Sequence, residues 1–190
     1  MGTQIALVEK ALHSQLPAFA DVLRPTGVPA ERIVRTMLVS CERNPRLLEC
    51  SLQSLLSSAM TAAVLGLEVD GVTGQGFVIP YSGVATFQIG YKGYPTLAAR
   101  GGLTINSGVV RERDFFEFEE GSEGFVKHRR QLGDEKSRRI VAAWATASAL
   151  GRPPIVAIMS YDQVLEIKAR SKGATKPESP WNDALGPGHE

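Results

Sequence analysis

From Phe87 to Gly93 the chain reads Phe-Gln-Ile-Gly-Tyr-Lys-Gly, which gathers an amide, an aromatic ring, a cation and two residues without side chains. A lysine ammonium offers a point charge to a phosphate. An amide can hydrogen-bond a sugar, a phosphate or a base edge, and a tyrosine can stack on a base. Glycine lets a backbone approach closely. Gln88, Tyr91 and Lys92 are therefore candidate nucleic-acid contacts. The same residues have a plainer alternative, in which Tyr91 and Tyr94 are core and Gln88 satisfies a sheet edge.

A formal net charge of +1 argues against a general polyanion binder, so a nucleic-acid reading needs charge sorted along the chain. It is sorted. Six acids stand at 112, 114, 117, 119, 120 and 123 against Arg113 alone. Six bases follow at 127, 129, 130, 136, 138 and 139 against Asp134 and Glu135. Lys127, Arg129 and Arg130 are candidate phosphate contacts, giving affinity without reading sequence. Against this stands a self-compensating hairpin in which Lys127 and Arg129 pair across strands with Glu117 and Glu119. Arg100 is a further candidate. Lys168 and Lys172, four apart, share one helix face and join the candidates, with a solubilising helix end that complements the dipole as the alternative.

Catalytic patterns are missing. The phosphate-cradling G-x-x-x-x-G-K-[ST] is absent, and the glycines at 71, 74 and 76 do not form G-x-G-x-x-G. There is no G-x-S-x-G nucleophile turn. The carboxylates between 114 and 123 would in principle hold metals for a nuclease. Without a histidine or lysine at useful spacing they read as the solvated rim of an exposed hairpin. Cys41 and Cys50 have no CxxC partner and no histidine at ligand spacing, which reads as two reduced, partly buried thiols.

A length of 190 residues suits one domain with a real core. No run approaches the roughly 18 apolar residues of a membrane span. The opening Met1-Gly2-Thr3-Gln4 has no basic-then-apolar leader, and Ala6 stands where a myristoylation motif needs Ser or Thr. A cytoplasmic protein with no membrane partner is expected.

The elements that must position these residues follow from periodicity. Residues 5–23 carry apolar side chains at helical spacing, interrupted by Pro17. A second helix starts near Pro29, in its first turn, and runs to Arg43, where Asn44-Pro45 stops it. Ser51 caps a third helix whose apolar face is Leu52, Leu55, Leu56, Ala59, Met60, Ala63, Val64 and Leu67, with small residues at 57, 58, 62 and 63 that suit packing on a sheet. The period then changes to two. Strands at 76–80 and 85–89 form a hairpin around 81–84. A short helix at 94–100 closes at Gly101-Gly102. Strands follow at 103–111, 115–119, 124–129, 140–150 and 155–159. Ser160 and Gln163 have capping-box spacing and open a helix from 161 to about 171. Helices, then antiparallel strands, then a helix make an α+β fold: N-terminal helices on a curved, mainly antiparallel sheet, with a further C-terminal helix.

Taken in order, these pieces resemble the RecT family of phage and prophage recombinases. The 87–93 run is similar to the family's signature. Asn44-Pro45-Arg46-Leu47, Cys50-Ser51 and the helix ending in Leu65-Gly66-Leu67-Glu68 resemble its "LGLE" helix, and Gly76-Phe77-Val78-Ile79-Pro80-Tyr81 its "YLIPY" strand. Val126-Lys127-His128, the stretch from Met159-Ser160 to Arg170-Ser171-Lys172, and Pro180-Trp181 continue the match. It covers about residues 30–182, and only the ordered combination is specific.

The resemblance implies a non-enzymatic, ATP-independent annealing protein. It would bind single-stranded DNA through the backbone and pair complementary strands in phage-type recombination and DNA repair. No cofactor is implied, and Mg2+ would act only through DNA. The implied partners are single-stranded DNA and the annealed duplex, further copies of the chain in a ring or helical filament, and a 5′–3′ exonuclease. The implied fold is similar to that of phage lambda beta protein and, more distantly, of Rad-type annealing proteins. The implied divisions are a helical segment at 1–28, which could serve oligomerisation, the annealing core at 29–172, and a loop or disordered tail at 173–190.

Two places depart from the family. The hairpin tip Tyr81-Ser82-Gly83-Val84 lacks the basic residue many relatives carry after the Gly. After Trp181 a basic helix is replaced by Asn-Asp-Ala-Leu-Gly-Pro-Gly-His-Glu, which is expected to lower basic charge and annealing activity. The competing readings are the metal-dependent nuclease and a structural assembly module that does not touch DNA.

Overall fold

The computed structural model describes residues 2–133, 137–171, 174–175 and 181. The chain divides into two units, residues 1–97 and 98–190. Among the described residues no helix is long and apolar enough to cross a membrane.

The first unit opens with α1 (Gly2–Ser14) and α2 (Leu16–Leu23). The expected interruption falls at Gln15, and Pro17 lies in the first turn of α2, where its missing N–H is not needed. Helix α3 (Ala30–Arg43) turns Ile33, Val34, Met37 and Cys41 inward, at the spacing of a buried helical stripe. Pro29 stands just before it as an extended N-cap rather than inside the first turn. Val8, Leu12, Phe19 and Leu23 from the first two helices enter the same core as Ile33, Met37, Leu47 and Leu55. Both cysteines are free and buried. Burial, with smaller contributions from Cys50 and Glu42, pushes the Cys41 thiol up to about 11, so it packs as an inert apolar group.

Helix α4 (Leu52–Leu65) is capped by Ser51, whose hydroxyl accepts the Ser54 N–H. It faces the hairpin of β1 (Gly76–Tyr81) and β2 (Val84–Ile89). Its buried face is Leu55, Ser58, Ala59, Ala62 and Ala63, whereas Leu52 and Val64, expected inside, are 43% and 56% exposed. Hydrogen bonding explains the rotation. Ser58 Oγ donates to the Ala85 carbonyl at 3.0 Å, and Ser54 Oγ accepts the Ala85 N–H at 2.9 Å. Two serines thus satisfy the outer edge of β2 where it would otherwise be unpaired. Ala85 lies opposite Pro80, a position at which a strand proline need not donate. Ser82 and Gly83, at φ 48° and 79°, make the tight two-residue turn. Helix α5 (Gly93–Arg100) follows the hairpin.

The second unit is built on a three-stranded antiparallel sheet. Strand β6 (Ile140–Ala149) lies between β3 (Leu103–Arg111) and β7 (Ile155–Ser160). A separate hairpin pairs β4 (Phe115–Glu119) with β5 (Phe125–Arg129). Helix α6 (Tyr161–Arg170) starts with the complete Ser160–Gln163 capping box. Among the described residues the strands thus pair in four antiparallel ladders that make three sheets. The fold is α+β, as expected. The 173–190 tail falls, apart from residues 174, 175 and 181, outside the described residues.

Candidate nucleic-acid interface

In the first unit, Gln88, Tyr91 and Lys92 come together at the end of β2 and in the turn that leads into α5. Two backbone approaches hold this turn. A Cβ on Gly90 would run into the Gly74 carbonyl oxygen, and one on Gly93 into the Gln75 carbonyl oxygen. The Gly90 N–H donates to Gln75 O at 2.9 Å, and the Gly93 N–H to Gly90 O at 2.8 Å. The closeness that these glycines permit is thus to the chain itself, not to a ligand backbone, and it makes a stiff seat for the residues between them. The Lys92 stem lies over Gly74, where an added Cβ would sit 3.3 Å from Lys92 Cδ.

Tyr91 is 76% exposed, so the core alternative for it is not met. Lys92 is exposed, with Nζ 5.7 Å from the Tyr91 ring centroid. No carboxylate among the described residues lies within 4 Å of it. Gln88 is exposed and donates from Nε2 to the Tyr81 hydroxyl at 3.3 Å.

In the second unit the hairpin register decides between the two readings of the basic run. Glu117 stands opposite Lys127, and their charged atoms are 3.4 Å apart. Phe115, not Glu119, stands opposite Arg129, whose guanidinium lies 4.4 Å from that ring centroid. One of the two expected cross-strand ion pairs therefore forms and the other does not. Arg130 and Arg100 are exposed, the latter at the end of α5. Lys168 lies in α6. The helix ends at Arg170 because Ser171 adopts an extended cap and donates its N–H to the Lys168 carbonyl and its hydroxyl to that of Ile167. Lys172 lies outside the described residues.

The largest departure is Asp114. Expected on a solvated rim, its side chain is 1% exposed, beside Arg138 at 3%. Oδ1 accepts from Arg138 Nη1 at 2.7 Å and from the Gln131 N–H at 3.0 Å. Oδ2 accepts from the Arg111 N–H at 2.9 Å and from His128 Nε2 at 3.1 Å. Trp144 Nε1 can only donate, and it donates to His128 Nδ1 at 3.1 Å, so the proton of the neutral imidazole sits on Nε2 and points at Asp114. Burial alone would raise the Asp114 pKa; the Arg111 N–H, the Arg138 guanidinium, the Gln131 N–H and His128 outweigh it and hold the carboxyl well below the usual range. Its four acceptor sites are filled by its own chain. Trp144 is half-buried and serves as a strut of this network. Among the described residues no three His, Cys, Asp or Glu gather as metal ligands.

Phe77 and Tyr81 are not among the contacts expected from sequence, yet both are exposed on the hairpin face that carries Gln88. Their spacing of four along a strand, without an acid nearby, is the signal that would have found them.

Comparison with known proteins follows the same stretch of chain. The RecT family profile matches residues 31–186. The chain is 28% identical over 167 residues to Protein RecT of Escherichia coli (strain K12), an alignment covering 83% of this chain and 61% of that protein. It is 38% identical over 89 residues to YqaK of Bacillus subtilis (strain 168), named as uncharacterized, covering 47% of this chain and 30% of that protein. The chain therefore spans less than two thirds of the length of either relative. With a profile match over most of its length, the chain belongs to the RecT family.

Proposed function

We propose that this chain is a single-strand annealing protein, which grips single-stranded DNA by its sugar–phosphate backbone and pairs complementary strands without ATP. Annealing asks for little chemistry. The protein must neutralise phosphates and leave base edges open, because base pairing itself supplies sequence specificity. Membership of the RecT family supports the reading. The observation that carries it is Lys92, an exposed cation with no carboxylate of the described residues within ion-pairing distance, seated beside Tyr91 on the turn that Gly90 and Gly93 pack. Lys127, Arg129, Arg130, Arg100, Lys168 and Lys172 add phosphate contacts in the second unit. The protein works as an oligomer in the cytoplasm, beside a 5′–3′ exonuclease that makes the single strand, and Mg2+ acts only through the DNA.

Binding of a long single-stranded oligonucleotide, followed by fluorescence anisotropy at rising salt, tests the proposal. Backbone contacts release counterions, so the affinity is expected to fall linearly on a log–log plot. Absence of binding at low salt would remove the proposal.

A further inference from the structure

The outer face of the β1–β2 hairpin, turned away from α4, is left uncovered in the first unit. Cross-strand partners point to the same side, so this face carries Phe77, Ile79 and Tyr81 from β1 and Val84, Thr86 and Gln88 from β2. Phe77 is 38% exposed and Tyr81 40%. The opposite face holds Val78 and Ala85, both buried in the core. Two large rings left partly in water on the face opposite the one packed in the core call for an occupant.

Charge identifies its class. The six residues of this face carry no carboxylate, and from residue 71 to the end of the first unit at 97 there is no aspartate or glutamate, while Lys92 is a cation. A protein surface of mixed sign would find no carboxylate on this face for its own cations. A polyanion with apolar planes would find everything it needs. The face is also continuous with the Lys92 turn, because the Phe77 ring lies over Gly90, where a Cβ would come within 2.9 Å of Phe77 Cε2. At the other end the Gln88 amide holds the Tyr81 hydroxyl at 3.3 Å. Four residues of strand separate the two rings, about 13 Å at the usual rise.

We propose that this face is a base-stacking platform for single-stranded DNA, with Phe77 and Tyr81 as the stacking rings and Lys92 holding the phosphates at its edge. The proposal rests on the DNA-binding reading above and names the part of the strand the hairpin holds. Stacking uses the flat face of a base, tolerates every sequence, and leaves the hydrogen-bonding edges free for an incoming complement.

The test is a Phe77→Leu/Tyr81→Leu double variant of the full chain, which keeps the face apolar and removes the rings. Its affinity is measured for a thymidine oligonucleotide and for an abasic strand of equal length, with oligomer size followed by light scattering. The platform predicts an affinity for the thymidine strand lower by about tenfold or more, with the slope against salt unchanged. On the abasic strand the variant and the unaltered chain are expected to bind alike. Equal affinity for the thymidine strand, an equal loss on both strands, or a changed oligomer size as the sole effect would each overturn the platform while leaving backbone binding intact. Failure of the unaltered chain to bind either strand would overturn both readings together.

Discussion

Lys92 and Asp114 are opposite uses of one kind of side chain. Lys92 stands in water without a carboxylate partner among the described residues, so its removal takes charge from a surface and nothing from a core. Lys92→Ala is expected to weaken single-strand binding by on the order of 1 kcal/mol, about fivefold, and to make the salt slope shallower by about 0.7. The thermal midpoint should stay where it is. A large drop in midpoint would make Lys92 structural. Asp114 is buried against Arg138, so Asp114→Asn leaves a guanidinium without its counter-charge and should cost about 3–5 kcal/mol in denaturant unfolding. The same carboxyl sets a pH dependence. Its pKa is depressed in the folded chain, so its contribution is complete above the unfolded value of about 3.9 and is lost as pH falls below it. Melting temperatures should therefore fall steeply below about pH 4, and that acid-side fall should be shallower in Asp114→Asn.

At the scale of elements, most boundaries were legible because Gly, Pro and Ser punctuate the chain. Asn44-Pro45 ends α3, Ser51 opens α4, Ser82-Gly83 turns the hairpin and Ser160 with Gln163 opens α6. These are local signals, settled within four or five residues. The rest depended on partners distant in sequence. No pattern within α4 announces that Ser54 and Ser58 serve Ala85, and this pairing turned the helix away from its most apolar stripe. Nor could the acids at 112–123 reveal which one is buried, since that needs Arg138 from the far side of the β4–β5 hairpin. Of the candidate site, the 87–93 run was legible because all its parts are adjacent, whereas the 74–75 backbone that its glycines approach was not. Two stability effects follow. Ser58→Ala strands the buried Ala85 carbonyl and should cost about 1–3 kcal/mol by urea titration. Gly90→Ala must force the turn off the 74–75 segment, with an expected cost of about 1–3 kcal/mol and weaker DNA binding alongside. If Gly90→Ala proved neutral in both, the stiff seat for Lys92 would be wrong.

For the whole molecule, burial is unequal between the units. The clustered core runs from Val8 to Phe87, while in the second unit Val110 and Ala174 are the buried apolar residues among those described. Buried amides open only with large parts of the fold, so α3 and α4 should show the slowest hydrogen exchange, and α6, which buries no residue, a much faster one. Such a division suits a protein in which one part is a firm support and other surfaces are free to meet DNA or further copies of the chain. The account depends most on the claim that holding backbones while leaving bases free is enough to bring complements together. Annealing of two complementary labelled oligonucleotides, followed by energy transfer in the absence of any nucleotide, measures this directly. The account predicts annealing well above the spontaneous rate, unchanged on adding ATP and lost progressively as salt rises. A rate equal to that of the strands alone at low salt, or acceleration only when ATP is supplied, would contradict it.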